Sequence, residues 1–162
     1  MTPAEPTQVK VLFIDDDLGV LQSLSLLLQG EQFELLTAAS GEEGLEILRN
    51  TEGIGVIISD RIMPAMNGGE LLSKAWELSP DSLRIMVTGH RGIDVEHEAL
   101  HKGGAYRIIA KPWKDDELIQ TLRDAVTIYL LIRENRRMTA HVSQVTSEKT
   151  DRHRQKALSA AA

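Results

Sequence analysis

Four short apolar runs in this chain each end on a polar residue suited to phosphate or a cation. Val11-Leu12-Phe13-Ile14 leads into Asp15, Asp16 and Asp17, and Ile54-Gly55-Val56-Ile57-Ile58-Ser59 leads into Asp60. Leu83-Arg84-Ile85-Met86-Val87 leads into Thr88, and Tyr106-Arg107-Ile108-Ile109-Ala110 leads into Lys111 and Pro112. Near-continuous apolar runs of about five residues, spaced by longer segments, are the pattern of parallel strands buried on both faces. Residues 33–38 read as a fifth strand. Between the strands the spacing lengthens to that of helices. Leu18, Leu21, Leu24, Leu27 and Leu28 share a face that Gly30 closes. Ser40 and Glu43 form a capping box ahead of Leu45 and Leu48. Leu71, Leu72, Ala75 and Leu78 form one stripe before Pro80, and residues 93–102 read as a more polar helix ending at Gly103-Gly104. A long helix starts at Asp115, with Leu118, Leu122, Ala125, Tyr129 and Ile132 near heptad spacing.

Strand and helix alternate five times, and short connections with right-handed crossovers favour an α/β doubly wound parallel sheet with helices on both faces. All carboxyl ends of a parallel sheet lie on one edge, so the four polar ends would converge there. Of the 162 residues 42% are hydrophobic, enough for one domain with something left over. Cysteine is absent, which removes disulfide and thiolate chemistry. No apolar run approaches the roughly 18 residues of a membrane span, and residues 1–7 lack the pattern of a signal peptide. A cytoplasmic protein without membrane contact is expected.

The net charge of −6 divides unevenly. From Arg133 onward seven Lys and Arg oppose three acids, a net +4, leaving 11 against 21 and a net −10 in residues 1–132. An acidic body argues against direct nucleic-acid binding. The basic end reads as a solvated helix.

Carboxylates crowded at the sheet edge repel one another, and a proton or cation must offset that cost. Oxygen-only ligands favour a hard ion such as Mg²⁺, which would let a carboxylate approach an anionic phosphoryl group. Asp60, alone at the end of the middle apolar run, is the candidate nucleophile. Lys111 would balance charge on the transferred group and Thr88 would donate to a phosphoryl oxygen. Taken singly, an Asp or Thr at the end of a buried strand reads more readily as a helix cap.

The ordered set Asp15-Asp16, Asp60-Arg61-Ile62-Met63-Pro64-Ala65-Met66-Asn67-Gly68, Thr88-Gly89 and Lys111-Pro112 resembles the receiver domain of two-component response regulators over residues 9–132. The resemblance implies a flavodoxin-like fold with strand order 2-1-3-4-5 and an extended C-terminal helix. It implies a phosphoacceptor, Asp60, that takes its phosphoryl group from a phosphohistidine on a sensor histidine kinase or phosphotransfer protein. Turnover of a separate substrate is not expected. It further implies Mg²⁺ held by the side chains of Asp16 and Asp60 and the backbone carbonyl of Ile62, with Asp15 acting mainly through bound water. Thr88 and Lys111 would hold phosphoryl oxygens, the Lys111-Pro112 bond would be cis, and the fourth helix, fifth strand and fifth helix would present an altered face to a downstream effector or fused output domain.

Three positions depart from the family pattern. Ile108 stands where a switch aromatic is usual, and Tyr106, two positions earlier, is placed by strand alternation on the same face. Ile62 and His90 flank the approach of a hydrolytic water in that family, where an apolar Ile62 would slow it and His90 would either orient it or, the preferred reading, simply stay solvated.

Other readings compete. Asp15-x-Asp17 also fits a haloacid-dehalogenase-type phosphatase, with Asp15 as nucleophile and Asp17 as general acid, but this leaves Asp60-x-x-Met63-Pro64 unused. Asp115 and Asp116 at a helix start suit the helix dipole without a catalytic role. His97-Glu98-Ala99-Leu100-His101 matches a zinc-protease spacing that lacks a third ligand and reads as a polar surface helix. A receiver-shaped binding module working without phosphorylation is the remaining alternative. Met138, Val142 and Val145 extend the last helix over residues 133–147, a candidate coiled coil and homodimer contact, and the polar and alanine-rich residues 148–162 read as disordered, as do residues 1–8.

Overall fold

The computed structural model describes residues 8–90 and 92–161. The disorder expected for residues 1–8 concerns positions outside the described residues except Gln8, which is exposed. Five strands, β1 (Lys10–Ile14), β2 (Glu34–Ala38), β3 (Ile54–Asp60), β4 (Leu83–Thr88) and β5 (Arg107–Ala110), form one sheet in the order β2-β1-β3-β4-β5. Every neighbouring pair is parallel, which is the doubly wound topology the alternation predicts. The helices are α1 (Leu18–Leu27), α2 (Gly41–Asn50), α3 (Gly68–Leu78), a short α4 (Ile93–His97) and α5 (Asp115–Ala160).

Strand alternation sends neighbouring residues to opposite faces and so builds two cores. Leu12 and Ile14 pack with Leu45, Leu48, Leu71, Leu72 and Ala75 on the α2 and α3 side. Val11 and Phe13 pack with Leu21, Leu24, Leu118, Leu122 and Ala125 on the α1 and α5 side. Leu12, Phe13, Ile57 and Ile58 are fully buried, each contributing roughly 1.5–3 kcal/mol. Gly55 in β3 allows this packing, because a Cβ there would enter the Tyr129 ring and come within 2.7 Å of Val9.

Arg84, a charged residue inside an apolar run, is also buried. Its guanidinium donates to the carbonyls of Ser82 at 2.8 Å and Gly104 at 3.2 Å and stacks 4.8 Å over the Trp76 ring. Burial pushes its pKa down.

Several boundaries differ from the sequence expectation. Residues 93–102 are not one regular helix: α4 gives way to a π-helical turn, Glu98–Lys102, closed by the Gly103 amide on the Glu98 carbonyl at 3.1 Å. Tyr106 precedes β5 and packs on the α1 and α5 side, whereas Ile108 packs on the α2 and α3 side. Strand alternation therefore fails for this pair, since period two holds only within the strand.

The first compact unit ends at Tyr129, the last buried residue of α5, three residues before the expected boundary. Residues from Leu130 onward form a second unit, helical to Ala160. The expected loss of order after Ser147 is not found. Residues 148–160 contain no Gly or Pro and include two each of Lys, Arg and Ala, so they lack a core pattern without lacking helix propensity.

Candidate functional site

The carboxyl edge of the sheet gathers the polar strand ends. Asp15 follows β1, and its backbone amide donates to the Ala38 carbonyl at 3.1 Å, tying it to the end of β2. Asp60 is the last residue of β3, and the next amide, Arg61, donates to Val87 at 2.8 Å. Thr88 ends β4, and its carbonyl accepts from the Lys111 amide at 2.9 Å. The Lys111-Pro112 peptide is cis. Trp113 then sets its ring edge-on to Phe13, with centroids 6.1 Å apart, anchoring the segment to the core.

Side chains complete the cluster. Asp15, Asp16 and Asp60 each offer a carboxylate oxygen, and these oxygens lie within 4.8 Å of one another. The Lys111 ammonium sits 2.8 Å from Asp15 Oδ2 and 3.3 Å from Asp60 Oδ1. Asp15 is 1% exposed and its other oxygen accepts the Asp17 amide at 2.9 Å, so both of its oxygens are engaged. Asp16 is exposed and Asp60 partly so.

Burial raises the Asp60 carboxyl above the ordinary aspartate range; Lys111 opposes that rise and the Asp15 carboxylate adds to it. For Lys111, burial alone would lower the pKa, but the Asp15 and Asp60 carboxylates outweigh it and the net shift is upward. Three carboxylates facing one ammonium leave the cluster short of positive charge. An oxygen-only donor set of this kind fits a hard divalent cation such as Mg²⁺.

Thr88 lies at this edge with its hydroxyl already spoken for. It donates to the His90 carbonyl at 2.9 Å and accepts the His90 amide at 3.1 Å. His90 and Ile62 are both exposed, on the β4–α4 and β3–α3 loops, and Ile108 is partly buried in β5. The β3–α3 loop is held by the Gly68 amide on the Arg61 carbonyl at 2.8 Å. A Cβ on Gly68 would strike the Asp60 carbonyl oxygen and approach Arg61 Cα to 2.9 Å, so only glycine fits. Asn67 caps α3 by accepting the Glu70 amide at 2.9 Å, and Ala65 takes a left-handed φ of 67°.

Two sequence readings lose their residues here. Asp17, the general acid of the phosphatase reading, caps α1 by accepting the amides of Gly19 and Val20. Glu98, the would-be base of the protease motif, pairs with Arg61 at 3.2 Å, while His97 and His101 are exposed. The Arg61–Glu98 pair and the Gly68 contact were not read from the sequence. The first joins residues 37 positions apart, and its only local signal is the placement of Arg61 directly after Asp60.

A five-stranded flavodoxin-like sheet with an acidic cluster and a lysine on its carboxyl edge defines a class of phosphate-handling signalling domain. The chain belongs to the response regulator receiver domain family, whose model matches residues 11–123. It is 38% identical over 126 residues to the C4-dicarboxylate transport transcriptional regulatory protein DctD of Rhizobium meliloti, covering 78% of this chain and 27% of that protein. It is 29% identical over 149 residues to the hydrogenase transcriptional regulatory protein HoxA of Bradyrhizobium diazoefficiens, covering 88% and 30%. The chain thus spans less than a third of the length of either relative. The crystal structure of the signal receiver domain of an HD domain-containing protein from Pseudomonas fluorescens Pf-5 superposes with a TM-score of 0.75 at 30% identity, covering 83% of this chain and 98% of that one. Receivers of this family act in two-component signalling and bind Mg²⁺ at an acidic pocket. Among the described residues no helix is long and apolar enough to cross a membrane.

Proposed function

We propose that Asp60 accepts a phosphoryl group from a phosphohistidine on a sensor histidine kinase or phosphotransfer protein. An Asp60 carboxylate oxygen forms the new P–O bond as the P–N bond to the donor imidazole breaks. The bonding pair leaves with the imidazole nitrogen, which takes up a proton. Lys111, already 3.3 Å from Asp60, stabilises negative charge on the transferred oxygens, and Thr88 donates to one of them after releasing His90. Asp16, Asp60 and the Ile62 carbonyl would hold Mg²⁺, with Asp15, each of whose oxygens already has one partner in Lys111 or the Asp17 amide, acting through water. Bound there, the ion neutralises the charge between carboxylate and phosphoryl group.

The observation that carries this reading is the convergence of three carboxylates and one ammonium from three separate strand ends. Exposed Ile62 and His90 would modulate water attack. Ile108 replaces an aromatic switch, and the cis bond before Pro112 sets the course of the chain after Lys111. The phosphorylated state would be read by a downstream effector or fused output domain, in the cytoplasm, without direct nucleic-acid contact by the receiver body. The helix beyond Tyr129 would mediate self-association.

Incubation with acetyl phosphate and Mg²⁺ followed by intact mass measurement tests the chemistry. A gain of one phosphoryl mass is expected for the wild type and none for Asp60→Asn. No gain with acetyl phosphate or with a phosphohistidine donor would overturn the reading in favour of a constitutive binding module.

A further inference from the structure

The last helix carries more apolar surface than its own unit covers. Leu131, Met138 and Val142 are each more than 60% exposed, and Val145 is more than a third exposed. These residues do not continue the spacing of the buried positions Leu118, Leu122, Ala125 and Tyr129, which runs on to Ile132 and then to the polar Arg136, Thr139 and Ser143. They fall instead on a second heptad phase. Leu131, Met138 and Val145 occupy one core position, and Asn135, Val142 and Lys149 occupy the other. The irregularity of the seam in the sequence is this change of phase.

We propose that residues 131–152 pair with the same segment of a second copy of this chain as a parallel, in-register, two-stranded coiled coil, with Asn135 facing Asn135. The proposal rests on the reading of this helix as a self-association surface and adds its face, orientation and register. β-branched Val142 and an asparagine at the position preceding it in the same series are the pattern of a parallel dimer.

Orientation follows from the polar residues. In the parallel register Asn135 meets Asn135, and each Lys149 lies beside Glu148 of the opposing helix, so both polar layers are matched. An antiparallel pair centred on Met138 and Val142 would set Asn135 against Val145 and Leu131 against Lys149. Each leaves a polar group against an aliphatic one, which is unfavourable. Moving the antiparallel centre to Val142 and Val145 sets Met138 against Lys149, again a polar group against an aliphatic one, and Asn135 against Arg152. The net +4 of residues 133–162 opposes pairing and is screened by salt, so association tightens as ionic strength rises.

Because the chain has no cysteine, single-cysteine variants of the full chain report the geometry cleanly. Light scattering should show a dimer that Val142→Asp converts to monomer. On oxidation, Leu131→Cys and Val145→Cys should each form homodisulfides, while Ala140→Cys, on the outer face, should not. A mixture of Leu131→Cys and Lys149→Cys should give no mixed disulfide, since 18 residues of helix separate the two by about 27 Å in the parallel register. Asn135→Val should tighten association at least tenfold or admit higher oligomers, because the buried asparagine limits both. A monomeric wild type overturns self-association itself. A dimer that persists in Val142→Asp overturns the seam, and a mixed Leu131→Cys/Lys149→Cys disulfide overturns the orientation. Phosphoryl uptake at Asp60, measured on the same samples, distinguishes failure of this contact from failure of the phosphoacceptor reading.

Discussion

Lys111→Met isolates the electrostatics of the cluster. The substitution keeps most of the side-chain length and removes the ammonium that lies 2.8 Å from Asp15 and 3.3 Å from Asp60. Losing one partner of a buried pair costs about 3–5 kcal/mol, because the other charge is left without compensation. Here Asp15 is 1% exposed but Lys111 is 27% exposed, so solvent screens part of the loss. The expected loss is therefore about 2–3 kcal/mol at pH 7 in EDTA, a large part of the ~5–15 kcal/mol that holds a domain folded. Urea denaturation followed by circular dichroism measures it. The loss should shrink when Mg²⁺ is added, since the ion supplies the missing charge. The net upward pKa shift of Lys111 sets its pH dependence: its stabilisation is complete below the unfolded pKa and fades as pH rises through the folded value, above about 10.4. A loss under 0.5 kcal/mol in EDTA at pH 7, or one unaffected by Mg²⁺, would refute the charge balance argued here.

Two further substitutions test other terms. Asp60→Asn should raise the urea midpoint of the metal-free protein at pH 7, because burial raises the pKa of this carboxyl. A raised folded pKa means that the stability present below the unfolded pKa is lost as pH rises through the folded one, so the gain of the asparagine variant should vanish below about pH 4. Equal gains at pH 3 and pH 7 would contradict this. Ala65→Gly should stabilise by about 0.5–1 kcal/mol, since Ala65 holds φ at 67°, where a Cβ costs energy and glycine does not. A thermal midpoint lowered by the glycine would show that the loop gains more from alanine's restricted unfolded chain.

The strands were legible because burial on both faces leaves a short apolar run of strand length bounded by polar residues, and the convergence of Asp60, Thr88 and Lys111 on one edge followed from parallel topology alone. Ser40 capping was legible too. Its hydroxyl accepts the Glu43 amide at 3.1 Å, although Glu43 reaches back to the amide of Ala39 instead of Ser40. What stayed hidden depends on contacts between distant residues. Tyr106 was misplaced because strand alternation was applied one residue beyond the strand. The helix after Ser147 was missed because absence of a core pattern was taken for absence of structure, whereas alanine, lysine and arginine keep a helix without any core. Glu98 was read within a histidine motif, and its true partner Arg61 lies on another loop. No periodicity in the sequence reports such a pair.

That pair and the Thr88 contacts together define what a phosphoryl group on Asp60 would have to overcome. Thr88 gives up two bonds to His90 if its hydroxyl turns toward Asp60, and each is worth about 0.5–1.5 kcal/mol net. The His90 groups released are exposed and find water, so the cost sits at the low end. Arg61, adjacent to Asp60, meanwhile holds the π-helical turn through Glu98. This pair is only about a quarter exposed on each side and is stronger than a free surface pair. A ligand shifts a two-state equilibrium only by its differential affinity for the two states. The β4–α4 loop, tied by weak bonds to exposed groups, is therefore the element whose equilibrium a phosphoryl group on Asp60 would shift at least cost, while the Arg61–Glu98 pair ties the start of the β3–α3 loop to the π-helical turn.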